Sequence, residues 1–386
     1  MSTIHPGIEK ITKDIIDIRR DIHMHPELAF QEYRTAELIT KELESYGLKP
    51  ITGVGKTGVI ADLLIDKSTK MIGMRADMDA LPIHETGESS YKSVNDGVMH
   101  ACGHDGHVSM LLGAARVLSS NPSKLKNSIR FIFQPAEEGF GGAQYMINDG
   151  ALEGVDEIYG AHLWNYQPCG EIGIKSGPVM ASADLFSISV QGKGGHGATP
   201  HTSNDAIIAA SSLIQTFQTI VSRDTNPLES TVLTIGQING GYNFNVIADN
   251  VRLKGTARAY SEKNRLLIKN RMNSIIEATE KMYNVSIELD YKDGYPPTIN
   301  NKIITERALA AAKKVAGDNV KPPYLTMGGE DFSYFANEIP GCFFFIGSAP
   351  ANEEPMSTPH HCSHFNIDEN ALLIGASTFV HIAEST

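Results

Sequence analysis

The order of the predicted strands and helices is the feature that most constrains what this chain of 386 residues can fold into. Short apolar strands alternate with helices in its first half, at 59–65, 71–75, 129–134 and 157–163. Between the strands, helices are predicted at 104–118 and 142–148, and amphipathic helices are predicted at 8–22 and 35–46. Such alternation favours an α/β domain with a mostly parallel sheet that is flanked by helices.

A change of pattern near residue 183 indicates an inserted domain. Here the strands at 185–191, 231–238, 251–259 and 285–291 alternate apolar and polar residues. Two long helices, 205–222 and 262–283, give the order β-α-β-β-α-β, which is typical of an α+β sandwich. The first pattern then resumes with a helix at 302–315, a strand at 342–346 and a helix at 368–383. We therefore predict one domain from 1–182 and 293–386, and an insert at 183–292.

The composition excludes several classes of protein. The net charge is −12, from 33 Lys and Arg against 45 Asp and Glu, which argues against nucleic acid or an anionic membrane as a partner. The 4 cysteines lack the regular spacing of a disulfide framework. No signal peptide is visible in the first ten residues, and no apolar run approaches the ~20 residues that span a bilayer. We expect a soluble, cytoplasmic protein.

Polar side chains follow three of the predicted strands at the point where each strand ends. Asp77 and Asp79 follow the strand at 71–75, Glu137 and Glu138 follow the strand at 129–134, and His162 ends the next strand. In open α/β sheets, ligands bind beyond the carboxyl ends of the strands. If these strands are parallel neighbours, the polar groups converge on one site.

Histidine and cysteine supply candidate metal ligands. Among the 14 histidines, several fall in tight groups, and Cys102 and His104 stand together before the helix. A thiolate and an imidazole suit Zn²⁺, and carboxylates suit Mn²⁺. The rival interpretation is a Cys–His nucleophile. The pair Glu137–Glu138 favours the metal, because one carboxylate can bind an ion while its neighbour takes a proton from water.

Two further segments present histidines. The late segment contains His360, His361 and His364, any of which could complete a coordination shell. The glycine-rich segment 192–201 presents His196 after an alternating strand. Because that segment lacks the Gly-Lys-Ser/Thr ending of a phosphate-binding loop, a histidine that reaches into a cleft is the preferred interpretation.

Seven short motifs occur in order along the chain. They are Gly73-Met-Arg-Ala-Asp-Met-Asp79, His100-Ala-Cys-Gly-His-Asp-Gly-His107, Gln134-Pro-Ala-Glu-Glu138, Ala161-His-Leu-Trp164, Gly192-Lys-Gly-Gly-His196, Gly255-Thr-Ala-Arg258 and Gly328-Gly-Glu-Asp-Phe332. Together they resemble the amidohydrolases that include hippurate hydrolase, indole-acetyl-amino-acid hydrolase and N-acetyl-diaminopimelate deacetylase, within the dinuclear-metal aminoacylase and carboxypeptidase superfamily. The resemblance covers nearly the whole chain.

The resemblance implies a role for each candidate residue. It implies a catalytic domain that carries an inserted lid domain, and this lid domain also forms the dimer. It also implies that each subunit binds two divalent ions, Zn or Mn. The implied metal ligands are Cys102, His104, Glu138, His162 and His361, with Cys102 bridging the ions. Glu137 is the implied general base and acid, His196 the oxyanion stabiliser, and Asp79 the group that orients a ligand. The implied substrate-binding residues are Asn245, Arg258, Gly328 and Gly329.

Three departures from the family pattern matter. Asp77 stands where the wider superfamily has a metal-binding His, so we do not count it as a ligand. Ala248 replaces the usual proline of a lid loop, and Cys362-Ser363-His364 replaces the usual small-Pro-aromatic continuation of the late motif. Alignment on Phe365 favours His361 among the late histidines.

We therefore predict metal-dependent hydrolysis of N-acyl amino acids, of N-acetyl or N-benzoyl type, by a homodimer or higher homo-oligomer. The expected partner is a small-molecule substrate, and neither nucleic acid nor a membrane is expected as a partner. The alternatives are a metallo-dipeptidase or carboxypeptidase with the same metal chemistry, a metal-binding scaffold without activity, and a thiol hydrolase with Cys102 as its nucleophile.

Overall fold

The computed structural model describes residues 2–66, 68, 70–351 and 353–386, which form two compact units. The first unit comprises the residues up to Val179, Ile299–Tyr324 and Asp331–Thr386. The second unit comprises Met180–Thr298 and Leu325–Glu330. The sequence analysis predicted the insert at 183–292 and did not include the short segment Leu325–Glu330. That short segment is tied to the second unit by backbone hydrogen bonding, since the Ala181 N–H donates to the Gly328 carbonyl over 2.9 Å.

An eight-stranded mixed sheet organises the first unit, in the order β1-β2-β4-β3-β5-β16-β6-β15. Its strands are β1 (Ile51–Val54), β2 (Gly58–Leu63), β3 (Met71–Asp77), β4 (Ser128–Gln134), β5 (Glu157–Pro168), β6 (Ile172–Gly173), β15 (Val320–Lys321) and β16 (Gly341–Ala349). The central neighbours β4, β3, β5 and β16 are parallel, as predicted, whereas β1–β2, β2–β4 and β6–β16 are antiparallel. A short additional pair is formed by β7 (Gly177–Met180) and β14 (Thr298–Asn300).

Helices cover the sheet of the first unit and bury its apolar residues. They are α1 (Pro6–Glu9), α2 (Thr12–Met24), α3 (Tyr33–Ser45), α4 (His104–Ser120), α5 (Glu137–Phe140), α6 (Gly142–Asn148), α9 (Lys302–Ala316), α10 (Phe332–Glu338) and α11 (Asn370–Ser385). The prediction of one helix over 8–22 was wrong, because Ile11 leaves the helical conformation at φ −114° and ψ 18° and separates α1 from α2. Helix α4 is buried along almost its whole length, and its first residue, His104, contacts the Asp79 carbonyl just after β3.

The second unit is the predicted α+β sandwich. Its antiparallel sheet has the order β10-β12-β8-β13, and the small pair β9–β11 stands apart from it. The elements are β8 (Ala183–Gln191), β9 (Gly195–His196), α7 (Ala206–Thr219), β10 (Thr231–Gly240), β11 (Val246–Ile247), β12 (Asn250–Ala259), α8 (Glu262–Tyr283) and β13 (Ser286–Tyr295). One face of this sheet packs with α7 and α8 around a core that includes Phe186, Leu213 and Ile268.

Among the described residues, none of the helices combines the length and the apolar character that crossing a membrane requires.

Candidate metal centre and active site

The predicted polar groups do converge, because β4, β3 and β5 are parallel neighbours. The prediction that His162 ends its strand was wrong, because β5 continues to Pro168 in its pairing with β16. In the pairing of β3 with β4, Asp77 lies opposite Gln134 at the ends of both strands. Farther along β5, His162 is buried with 5% of its surface exposed. The carboxyl ends of β3 and β4 and the middle of β5 therefore bring acidic and imidazole side chains together in the first unit.

The turn before α4 places Cys102 and His104 at this edge. Gly103 adopts φ 92°, which is unfavourable for residues with a Cβ, and it starts the helix at His104. The Cys102 Sγ lies 3.6 Å from the His162 Nε2, and both side chains are buried. The ligand atoms of Cys102, His104 and His162 all lie within 4.8 Å of one another. This is a compact thiolate and imidazole set of the kind that binds Zn²⁺.

The turn after β4 carries Glu137 and Glu138. Ala136 has a positive φ of 55°, and two buried carboxylates hold the N–H groups around it. Glu32 accepts a hydrogen bond from the Ala136 N–H over 2.9 Å. Asp79 accepts from the N–H groups of Glu137 and Glu138, each over 3.0 Å and each with a different oxygen. Three consecutive peptide groups are thus fixed, which sets where both glutamate side chains emerge.

Asp79 also orients His104 through its own backbone. The His104 Nδ1 lies 2.9 Å from the Asp79 carbonyl oxygen, so Nδ1 carries a proton and, in the neutral ring that a metal would bind, Nε2 has the lone pair. Within the described part of the chain, this buried Nε2 has no hydrogen-bond partner. Burial opposes a charge on His104, but the carboxylates of Asp77, Asp79 and Glu138 outweigh it and raise the pKa of His104 to about 10. The surroundings of His104 therefore favour a positive charge.

His162 is held in the tautomer that a metal ligand requires. Its Nδ1 donates to the Leu163 carbonyl over 2.6 Å, which leaves the Nε2 lone pair facing Cys102. Burial, together with the neighbouring His107 and His360, keeps the pKa of His162 well below its usual value. His162 is consequently neutral, as an imidazole ligand must be.

The late loop brings two histidines to the site in different ways. The His361 N–H donates to the Ala101 carbonyl over 2.8 Å, and the His361 Nε2 lies 3.2 Å from the Glu138 Oε1. That approach lacks the alignment of a hydrogen bond, since the buried Oε1 has no hydrogen-bond partner among the described residues. The ligand atoms of Cys102, Glu138 and His361 lie within 4.8 Å of one another.

His360 faces the same region with its other nitrogen engaged. Its Nε2 accepts a hydrogen bond from the Asn165 N–H over 3.2 Å, so a neutral His360 carries its proton on Nδ1. That Nδ1 lies 3.9 Å from the Cys102 Sγ. A nitrogen that carries a proton offers no lone pair to an ion, so the hydrogen bonding favours His361 over His360 as a ligand.

The predicted general base lies beside these groups. The ligand atoms of Glu137, Glu138 and His104 are within 4.8 Å of one another, and the Asp331 N–H points to the Glu137 Oε1 over 3.4 Å. Asp331 is itself fixed by the Arg75 Nη2 over 2.8 Å. Glu137 is therefore positioned by the backbone of a buried network rather than by solvent.

The remaining predicted residues belong to the second unit. His196 lies on β9, paired with Val246 of β11, and the Asn245 carbonyl accepts from the Gly197 N–H over 2.8 Å. The His196 Nδ1 accepts from the Ala198 N–H over 3.0 Å, which leaves Nε2 as the donor of a neutral ring. Arg258 borders Gly329, where an added Cβ would lie 3.5 Å from its Nη1.

Arg258 is also half-buried and has a lowered pKa, because burial outweighs the favourable charge of Asp184. The structure thus brings His196 and Asn245 together, and Arg258 together with the Gly328–Gly329 segment.

Two residues with a clear place in the site escaped the sequence analysis. Glu32 is fully buried and holds the turn before Glu137, but its sequence signal is a single acidic residue in a predicted loop. His107 was noted only as part of a histidine-rich segment. Its Nδ1 lies 2.5 Å from Asp77, and its Nε2 accepts from the Leu163 N–H over 2.8 Å. Its position one helical turn after His104 was the available signal.

The donors that converge here fit divalent metal ions. Two sets of ligand atoms share Cys102: one with His104 and His162, the other with Glu138 and His361. Among the described residues, the buried Nε2 of His104 and Oε1 of Glu138 have no hydrogen-bond partner, and these are atoms that a metal would satisfy. Two donor sets with one residue in common are an arrangement that could hold a pair of ions.

Comparison with known proteins identifies relatives along the whole chain. The model of peptidase family M20/M25/M40 matches residues 73–385. The YhaA protein of Bacillus subtilis, which carries the name amidohydrolase, is 41% identical over 98% of this chain and 96% of its own. The N-acetyl-L-cysteine deacetylase of Bacillus subtilis is 41% identical over 97% of this chain and 88% of its own.

A solved structure agrees with these relatives. The Bacillus subtilis YxeP protein, a dinuclear metal binding peptidase from the M20 family, superposes with a TM-score of 0.85 at 33% identity. The match covers 97% of this chain and 98% of that one.

Proposed function

This chain belongs to peptidase family M20/M25/M40 and is a metal-dependent amidohydrolase, and on that premise we propose that it hydrolyses N-acyl amino acids to a carboxylic acid and a free amino acid. One observation carries the proposal. The Glu137 carboxyl stands within 4.8 Å of the ligand atoms of His104 and Glu138, so a proton acceptor adjoins the metal donors. A purely structural metal site has no need of such a group.

We propose that two divalent ions, Zn²⁺ or Mn²⁺, are held by Cys102, His104, Glu138, His162 and His361. When bound, such ions polarise the substrate carbonyl and make water a stronger acid. Cys102 is the shared ligand of the two donor sets. Burial, followed by the charges of Glu138 and Glu137, raises the pKa of the Cys102 thiol well above its usual value. Without a metal, these surroundings disfavour the thiolate that a nucleophile needs, whereas a bound cation would itself stabilise the thiolate of a ligand.

Glu137 is the proposed proton carrier. Its carboxylate accepts the proton of the attacking water and then delivers it to the nitrogen of the leaving amine. The Asp331 N–H and the Asp79-bound peptide hold Glu137 in place for both transfers. His196 is the proposed donor to the oxyanion, since its neutral ring carries the proton on Nε2.

We propose that the carboxylate of the substrate binds to the second unit. Arg258 offers a two-pronged donor, and Gly328 and Gly329 offer backbone amides beside it. Asn245 lies beyond the opposite end of β12, with His196, so we propose that it joins this anion from the partner subunit. The cost of desolvating Arg258, visible in its lowered pKa, is recovered when an anion binds beside it. A free α-carboxylate is common to N-acyl amino acids and to short peptides, so this feature leaves a dipeptidase or carboxypeptidase as the second candidate.

We also propose that two copies pair through the second unit. Strand β10 is an edge strand of its sheet, and its second half is exposed at every position from Gly236 to Gly240. An edge with free backbone groups pairs readily with another strand. A cytoplasmic location is part of the proposal, because a thiolate ligand is lost on oxidation.

The first test is an N-acyl panel with chelation. Metal-free protein should release no amine from N-acetyl, N-benzoyl or N-succinyl amino acids, and Mn²⁺ or Zn²⁺ should restore release. Glu137→Ala should lower kcat by about 10²-fold or more while metal content stays near that of the unaltered protein. Glu153→Ala, which changes an exposed acid in the turn before β5, is the control. Full activity without metal, or normal kcat in Glu137→Ala, would overturn the proposal.

Dimer function has a test of its own. Mixing His196→Ala with Glu137→Ala subunits should recover part of the activity if His196 serves the site of the partner. Light scattering should report a dimer, and Ile238→Lys on the exposed half of β10 should shift it towards the monomer. A monomer with full activity would contradict the pairing.

A further inference from the structure

A wall of aromatic rings runs from the predicted ligands to the surface of the first unit. The ring of Tyr166 stacks on that of Tyr324 with centroids 5.4 Å apart and planes 7° apart. The ring of Tyr166 also stacks on that of His360, with centroids again 5.4 Å apart. The ring of His360 contacts that of His162 at 5.2 Å, and its Nδ1 is 3.9 Å from the Cys102 Sγ. The wall therefore begins at two predicted metal ligands.

The outer end of this wall is open. Tyr324 keeps 47% of its surface exposed, and Tyr166 is partly exposed, whereas Trp164 behind them is 4% exposed. Trp164 supports Tyr166 and the inner ring of His360, because its ring lies 4.7 Å from Tyr166 and 5.1 Å from His360. Aromatic rings that only fill the core are buried, as Trp164 is, whereas Tyr166 and Tyr324 keep surface that a ligand can contact.

Hydrogen bonds fix the wall in one arrangement. The Trp164 Nε1 donates to the Tyr324 carbonyl over 3.0 Å, and the Tyr324 N–H donates to the Gln167 Oε1 over 3.2 Å. The Asn165 N–H fixes His360 from the same strand. The open rings are consequently preorganised, so an apolar group that binds them loses little affinity to ordering of the protein.

We propose that this wall binds the acyl group of the substrate and that this acyl group is a planar aromatic one. The inference rests on the proposed hydrolysis of N-acyl amino acids. A substrate whose carbonyl lies at the predicted ligands must direct its acyl substituent along a neighbouring surface, and the Tyr166–Tyr324 surface adjoins them. Aromatic rings add stacking and edge contacts to the burial of apolar area, which a methyl group cannot supply.

The kinetic test compares two acyl groups on one amino acid. The unaltered enzyme should have a kcat/KM for the N-benzoyl compound that exceeds that for the N-acetyl compound by about 10-fold or more. Tyr166→Leu and Tyr324→Leu should each lower that ratio by several-fold. Tyr33→Leu, an exposed tyrosine on α3, is the matched control and should leave the ratio unchanged. A preference for N-acetyl, or a ratio that the wall variants do not alter, would overturn the proposal.

A binding test needs no turnover. The chain has 1 tryptophan, so the intrinsic tryptophan fluorescence reports on Trp164 in the wall. Benzoate and acetate share a carboxylate, so their difference in affinity isolates the ring. Benzoate should bind about 10-fold more tightly than acetate, and Tyr324→Leu should remove most of that difference. Equal affinities would sink the proposal. Preferential binding of benzoate without hydrolysis of any N-acyl amino acid would support the wall and refute the proposed function.

Discussion

Asp79→Asn removes one acceptor from the turn that carries Glu137 and Glu138. In the unaltered protein, the two Asp79 oxygens accept separately from the two N–H groups over 3.0 Å. An asparagine oxygen can accept from one of them, and its NH₂ group then faces the other. The bond from His104 to the Asp79 carbonyl is a backbone contact and survives the change. The change therefore acts on the two glutamates and removes one of the charges that raise the pKa of His104, while the tautomer of His104 is kept.

The magnitude follows from burial. Asp79 is 1% exposed, so the N–H group that loses its acceptor cannot turn to bulk water. A buried, unsatisfied donor costs about 1–3 kcal/mol in the free energy of unfolding. Displacement of a group that orients a metal ligand typically weakens metal binding by about 10–100-fold. A shift of about 1 Å in Glu137 would lower kcat by about 10²-fold.

Three measurements check this reasoning. Urea unfolding of the metal-free protein gives the stability, competition with a chromophoric chelator gives the metal affinity, and amine release gives kcat. Asp156→Asn is the matched control, because Asp156 also accepts from a backbone N–H, that of Met71 over 2.8 Å, but at an exposed position. If Asp79→Asn keeps both its metal affinity and its kcat while Asp156→Asn behaves the same, the positioning argument fails.

Three further predictions concern other groups of the site. Burial, together with the charge of Asp79 and only partly offset by the Thr57 hydroxyl, raises the pKa of Glu32 from 4.5 to about 7. Between these two pKa values the folded protein keeps a proton on Glu32 that the unfolded chain releases. The free energy of unfolding should therefore fall by roughly 3 kcal/mol as the pH rises from 4.5 to about 7. Urea unfolding of the metal-free Glu32→Gln variant should not show this pH dependence. His361→Ala should bind less metal by atomic absorption, whereas His360→Phe should retain the stoichiometry. Peroxide should release metal as Cys102 is oxidised, and preloading with metal should slow alkylation of the Cys102 thiol.

The sequence predicted the fold to the extent that local periodicity encodes it. Helices α6 and α8 have the predicted bounds, and β3, β4 and β5 are parallel neighbours as the positions of their polar ends suggested. The two-residue strands β6, β9, β11 and β15 were missed, since two residues carry no alternation that could be recognised.

The site was harder to read where long-range contacts define it. Glu32 lies 104 residues before the Ala136 N–H that it accepts from, and nothing local in the sequence distinguishes it from a solvated acid. The choice between His360 and His361 likewise depends on the Asn165 N–H, 195 residues from His360. Periodicity cannot report such pairs, because they depend on how strands and loops are brought together in the fold.

Asp77 shows how the same contacts remove a candidate ligand. Asp77, His104 and His107 also have ligand atoms within 4.8 Å of one another, so proximity alone would allow a metal there. However, the Asp77 Oδ2 accepts from the Arg75 Nη1 over 2.8 Å, and its Oδ1 faces the His107 Nδ1. The His107 Nε2 accepts from the Leu163 N–H, so its proton is on Nδ1 and directed at Asp77. Asp77 and His107 are thus both engaged in hydrogen bonds with groups other than His104. Asp77 instead anchors helix α4, which carries His104, through its contact with His107. Asp77→Asn should therefore lower the free energy of unfolding but leave the number of bound metal ions nearly unchanged. Equal loss of metal in Asp77→Asn and His361→Ala would refute this assignment.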